Sequence, residues 1–107
     1  MAKLETKKSV IALETEYLNQ VRNILRDWVP NCEVWAFGSR VHRRGLKPFS
    51  DLDLVLITEQ PLDDSYCGRI KEAFSESDLP IRVDIADWSL LSDSLRERIL
   101  KEHEIIL

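Results

Sequence analysis

The chain has no long apolar run and very little thiol or imidazole chemistry. Its apolar stretches are no longer than Leu54-Val55-Leu56-Ile57, far too short to cross a bilayer. The opening MAKLETKKSV is basic but lacks the apolar core of a signal peptide, which points to the cytoplasm. Cys32 and Cys67 are isolated, and His42 and His103 are equally scattered. No pair stands at metal-ligand spacing, so a zinc site is not expected and two buried thiols are. Positive charge is also short: the net charge of −4 gives no general affinity for nucleic acid, and no aromatics interleave with the basic residues. Internal repeats and low-complexity segments are absent. What remains, 107 residues with 44% apolar and 32% charged content, is the composition of one globular domain spanning 1–107.

The hydrophobic spacing predicts a helix over 10–28, with Leu13, Tyr17, Leu18, Val21, Ile24, Leu25 and Trp28 on one face, stopped by Pro30 and Asn31. Residues 33–37 read as a strand ending at Gly38. A second strand over 51–58 is apolar on both faces beyond its first positions, as in the centre of a sheet. Pro61-Leu62-Asp63-Asp64 opens a helix whose buried face is Leu62, Tyr66, Ile70, Ala73 and Phe74. A third strand follows Pro80 as Ile81–Ala86. A last helix covers about 93–103, capped by Ser92 or Asp93, with Leu95, Ile99 and Leu100 inward. This order implies an α+β fold, an α/β sandwich of a small sheet covered by helices. Trp28, Trp35 and Trp88 read as core residues. The apolar ending Glu104-Ile105-Ile106-Leu107 suggests a docked strand or a partner contact.

Two carboxylates interrupt the second strand. Asp51 and Asp53 point to one face about 7 Å apart, two residue rises along a strand. At an effective dielectric near 20 they repel by roughly 2 kcal/mol, and a few-fold less in full solvent. A lone Asp-x-Asp is weak evidence, since Asp51 reads equally as a turn residue. Asp53, however, lies between Leu52 and Leu54, inside the apolar run. A third carboxylate, Asp84, lies between Val83 and Ile85 in the next strand. Asp84 also has a plain structural reading, a pair with Arg82 on the same strand face. Three carboxylates from neighbouring strands suit a hard cation such as Mg²⁺, which takes oxygen ligands and leaves room for water and phosphates.

Gly38-Ser39 precedes this set. Gly38 allows a sharp exit from the strand, and Ser39 is a good N-cap for a short helix over 40–44 whose free N–H groups face an anion. Arg40, Arg43, Arg44 and Lys47 follow, of which at least two read as a solvated helix end.

The stretch GSRVHRRGLKPFSDLDLVL resembles the signature of the DNA polymerase β nucleotidyltransferase superfamily: a Gly-Ser turn, a spacer, Asp-x-Asp, then a later Asp. The spacer, Arg40 to Ser50, is one residue longer than the commonest form. With VRNILRDWVPNCEVWAFGSR before it, the resemblance is to the minimal nucleotidyltransferases. It implies a nucleotidyltransferase fold with a small mixed β-sheet flanked by helices. By resemblance, Gly38 and Ser39 hold the triphosphate, with Arg40 assisting. Asp51 and Asp53 bind two Mg²⁺ ions, and Asp84 completes one site and helps deprotonate an acceptor hydroxyl. ATP as substrate rests on the resemblance alone.

Minimal members resembling this chain operate with a separately encoded helical partner of the HEPN type. The implied function is an antitoxin that transfers adenylyl groups to a tyrosine of that partner. Two alternatives stay open: a non-catalytic nucleotide-binding module that neutralises its partner by occlusion, and a transferase acting on a small molecule. Neither a membrane nor a nucleic acid is an expected partner.

Overall fold

The computed structural model describes residues 11–107. Its elements run α1 (Thr15–Trp28), β1 (Glu33–Phe37), α2 (Ser39–His42), β2 (Leu52–Ile57), α3 (Asp64–Ser75), β3 (Val83–Asp87), α4 (Asp93–Lys101) and β4 (Glu104–Ile105). A single 3₁₀ turn, Trp88–Leu90, joins β3 to α4. Among the described residues no helix is long and apolar enough to cross a membrane.

The four strands form a mixed sheet in the order β3-β2-β1-β4. β1 pairs antiparallel with β2 and β4, while β2 and β3 are parallel. Parallel neighbours need a crossover, and α3 supplies it. Strand alternation then sorts side chains onto two unequal faces. On one face Val34, Ala36, Leu52, Leu54 and Leu56 are fully buried beneath Leu18, Val21 and Leu25 of α1 and Ile70 and Phe74 of α3. Burial of each such aliphatic side chain is worth about 1.5–3 kcal/mol, and this layer carries most of the stability.

The other face is covered only in part. Trp35 and Val55 are cross-strand partners there. The Trp35 ring stacks on His103 with centroids 4.0 Å apart and meets Trp88 edge-on at 5.4 Å. The Arg96 guanidinium lies 5.6 Å from the Trp88 ring centre, and Ile99 is the buried residue of α4. Trp35 and Trp88 are thus half-buried members of a second, smaller layer, and Trp28 flanks the main core against Tyr66. Cys32 and Cys67 are free and partly buried rather than enclosed.

Several expected boundaries move, each for a local reason. Residue 10 lies outside the described residues, and α1 begins at Thr15, so Leu13 precedes the helix. The segment before it is captured by Arg40, whose carbonyl accepts from the Ala12 N–H at 2.6 Å. Asp63 caps α3 from outside its first turn, accepting from the Ser65 N–H at 2.8 Å. β3 starts at Val83 and ends on Asp87, which is buried yet accepts from Thr58 Oγ1, the Leu62 N–H at 2.8 Å and the Ser89 N–H at 3.0 Å. Ser92 is the cap of α4. That helix stops at Lys101, releasing His103 to stack on Trp35, and Leu100 faces solvent at 54% exposure. The apolar ending is a docked strand: β4 pairs with β1, and Ile106 is buried while Ile105 stays exposed.

Arg40 is a structural residue. Its side chain is buried and donates from Nε to the Ser50 carbonyl at 2.9 Å, from a terminal nitrogen to Pro48 at 3.0 Å, and from the other to Ala12. It thereby ties the 45–51 loop and the entry to α1 onto α2. Arg40→Met keeps the volume but leaves three carbonyls without their donor. Such a loss is expected to cost on the order of 2–4 kcal/mol. Urea unfolding of the two proteins measures it, and Arg40→Lys should recover only part of the loss, because an ammonium cannot match the guanidinium fork.

Candidate active site

The end of the sheet on the partly covered face gathers the residues singled out in the sequence. Phe37 pairs with Asp53, and Asp53 pairs with Asp84 on the parallel side. Two carboxylates from adjacent strands therefore lie side by side on one face, at strand separations of about 4.8 Å. Asp51 sits just before β2 and is partly buried.

Gly38 follows the last residue of β1. Its φ of 80° and ψ of −160° are open to glycine alone, and they swing the chain out of the sheet into α2. A Cβ at this position would fall on the Asp53 carboxylate. Gly38 rather than Ser39 occupies the cap position of α2, and its carbonyl accepts from Val41 and His42 at 2.9 and 3.0 Å. The expected Ser39 cap is not formed, because the chain has already turned at Gly38 and Ser39 is the first helical residue.

The electrostatics of Asp53 follow from that crowding. Burial, then the Asp84 and Asp51 carboxylates, push its pKa up to about 6, and nearby His42 offsets only part of the rise. Asp84 is otherwise engaged: Arg82 Nε donates to its Oδ1 at 3.1 Å, the pair the sequence also suggested. Among the described residues no three acidic, His or Cys side chains stand grouped as a metal site. The donor set still fits a hard divalent cation. Asp53 retains a proton under mildly acidic conditions because its charge is uncompensated, and oxygen ligands on adjacent strands suit Mg²⁺.

Two hollows flank the carboxylates. One, of about 330 Å³, lies between the Gly38 turn and α4, with Phe37, Gly38, His42 and Asp53 on one side and Leu95, Arg98, Ile99 and Lys101 on the other. Its rim is bridged by Arg44, which donates to both Glu102 carboxylate oxygens at 3.2 and 2.6 Å. The second, of about 480 Å³, runs between α3 and β3, with Asp84, Arg82, Phe74 and Ile81 in its wall. Gly38 and Asp53 belong to the first hollow, Asp84 to the second, and Arg40 to neither. Of the basic loop, Arg43 and Lys47 are exposed and Arg44 is held by Glu102. His42, Arg98 and Lys101 escaped the sequence reading. Their only signal was helical spacing, which does not tell which wall a helix presents.

Two outcomes test this geometry. Asp53 has a folded pKa of about 6, above the ordinary carboxylate value near 4. The folded state therefore binds more protons between these values, and the stability from this carboxyl is present below about pH 4 and lost as pH rises through about 6. Asp53→Asn should be more stable than wild type at pH 8 by on the order of 1–2 kcal/mol after solvent screening, with no difference near pH 3.5. Urea melts at the two pH values decide it. Gly38→Ala should lose about 2 kcal/mol or more from strain and from the collision with Asp53. Adding Asp53→Ala should restore the collision part and leave the torsional part, a comparison made by a double-mutant cycle.

The chain's relatives bear on this site. Residues 19–107 match the family model Polymerase beta, Nucleotidyltransferase. The chain is 48% identical over 101 residues to a probable protein adenylyltransferase MntA of Haemophilus influenzae, covering 94% of this chain and 88% of that protein. It is 38% identical over 78 residues to a spectinomycin 9-adenylyltransferase of Enterococcus faecalis, covering 71% of this chain and 29% of that one. Among solved structures, a toxin-antitoxin crystallised with AMP-PNP superposes with a TM-score of 0.70 at 22% identity, over 84% of this chain and 72% of that one. A complex of a tri-AMPylated Shewanella oneidensis HEPN toxin with its MNT antitoxin gives 0.67 at 20% identity, over 89% and 72%. These likenesses match the mixed sheet and its helices. With the family match spanning the Gly38 turn and all three aspartates, the chain belongs to the polymerase β nucleotidyltransferase family.

Proposed function

We propose that this chain transfers AMP from ATP to a hydroxyl, a tyrosine of a HEPN-type partner, and thereby acts as that partner's antitoxin. The observation that carries the reading is the contact between the Gly38 turn and Asp53, which sets a phosphate-holding loop against carboxylates in register. The 48% identity to a probable protein adenylyltransferase, over most of both chains, supports the acceptor class. The spectinomycin enzyme matches over only 29% of its own length, so its small-molecule acceptor carries less weight.

The residues divide the work by position. Gly38 and Ser39 hold the phosphate tail with N–H groups that the start of a helix leaves without internal acceptors. Asp51 and Asp53 are the residues that would hold Mg²⁺, with Asp84 completing one site. The ion, when bound, supplies positive charge to the phosphoryl oxygens. The acceptor enters from the hollow on the Asp84 side, separate from the nucleotide cleft. Its oxygen bonds to the α-phosphorus, its proton passes to Asp84, and the bond to the bridging oxygen breaks so that pyrophosphate leaves with the electron pair. Arg82 holds one oxygen of Asp84 and leaves the other toward that proton.

Mixing the chain with its partner, Mg²⁺ and ATP labelled on the α-phosphate should transfer label to the partner. Asp51→Asn, Asp53→Asn and Asp84→Asn should each reduce labelling by at least about a hundredfold, as loss of a positioned catalytic group does, while the complex still forms. A wild type that forms the complex and labels nothing, with any nucleotide, would establish occlusion instead.

A further inference from the structure

We infer that Arg98 and Lys101 of α4 are the cationic wall of the nucleotide cleft and bind the β- and γ-phosphates of the incoming triphosphate. The inference rests on the reading of the Gly38 cleft as a nucleotide site and adds residues that neither the signature nor the relatives' names assign.

An incoming polyphosphate meets a hostile field at this end of the sheet. Asp53 and Asp84 are register partners on adjacent strands and Asp51 lies two residues before Asp53, so a further polyanion binds only where positive charge faces it. Arg40, which the signature suggests, and Arg44 on the rim do not supply that charge. Arg40 is buried and turned to the Ser50, Pro48 and Ala12 carbonyls, away from the cleft. Arg44 is on the rim but committed to Glu102 through two contacts.

Arg98 and Lys101 meet the requirement from the opposite wall. They are three residues apart, hence neighbours on one face of α4, and both line the hollow that holds Gly38 and Asp53. Among the described residues neither has an ion-pair or hydrogen-bond partner for its side chain. Basic residues in a last helical turn also complement the helix dipole, and that accounts for their presence on any face. It does not account for two cations without partners on one wall of the same cleft, across from the Gly38 turn. With Leu95, Ile99 and Phe37 as an apolar floor, the cleft offers charge at its walls and a dry base between them. This is the division a nucleotide site needs.

The test is nucleotide binding by calorimetry, with Arg98→Ala, Lys101→Ala and the double variant compared with wild type. ATP affinity should fall roughly tenfold for each charge removed, as expected for a charge-assisted contact. AMP, which lacks the β- and γ-phosphates, should bind all four proteins alike. Inorganic tripolyphosphate should compete with ATP on wild type and lose that competition on the double variant. Both side chains are largely solvent-facing, so the melting temperature should hold, and Arg98→Lys should retain most of the affinity. A double variant that binds ATP as wild type does overturns the inference and leaves the proposed function standing. Equal losses for ATP and AMP overturn it too, because the residues would then shape the cleft and not hold the tail. A wild type that binds no nucleoside triphosphate overturns both.

Discussion

The Asp53 carboxylate fills the space beside Gly38 where any other residue would place a Cβ, and the rest of the site is arranged around that approach. Antiparallel pairing of β1 with β2 sets Phe37 opposite Asp53, so Gly38 is the first residue free of the sheet. It must leave at once, and its positive φ directs the chain into α2 without a side chain to strike the carboxylate. Parallel pairing then brings Asp84 alongside Asp53. Two ordinary strand pairings thus concentrate negative charge at one sheet end. The concentration is tolerable because the opposite face, with its fully buried aliphatic residues under α1 and α3, stabilises the fold independently of the site.

The fold was largely legible in the sequence because its signals are periodic. Two-residue alternation in β1 and β2, and three- and four-residue spacing in α1 and α3, report burial directly. The boundaries that moved are those where a distant residue intervened. Leu13 reads as helical, but its segment is bound by Arg40 across 28 positions. Leu100 reads as an inward residue, but α4 lies over a half-covered face and needs little more than Leu95 and Ile99 to seat it. The aspartates were legible because a carboxylate inside an apolar strand contradicts its surroundings. The structural bonds of Arg40 were hidden for the complementary reason. A basic residue in a basic loop contradicts nothing, and only the fold reveals that its partners are backbone carbonyls.

The second layer explains why α4 can line a cleft at all. Trp35 projects from the face that carries Asp53, and its stack with His103 and edge contact with Trp88 raise a platform two strand positions from the carboxylates. Arg96 closes the platform by donating to the Trp88 and Ser89 carbonyls at 3.0 and 3.1 Å while lying near the indole. His103 accepts its place in the stack only because the helix has ended two residues earlier. The break after Lys101 is therefore what both seats α4 and frees β4 to pair with β1.

The cleft consequently has two unlike walls. The Gly38–Asp53 side belongs to β1 and β2, whose pairing and buried aliphatic face leave no room for displacement. The α4 side is a nine-residue helix with one buried side chain, tied down by Arg96 to the Trp88 and Ser89 carbonyls and at its far end by the solvent-facing Arg44–Glu102 pair. It is seated by polar contacts more than by apolar burial, and of these the exposed Arg44–Glu102 pair contributes little. The proposed transfer, which admits a polyanion and releases pyrophosphate, suits that asymmetry. In the proposed transfer the carboxylates need fixed positions to act on one phosphorus atom, whereas a phosphate-facing wall needs only to bring charge up to it. On that reading the paired strands hold the reacting groups in place, and α4 brings the second wall to them.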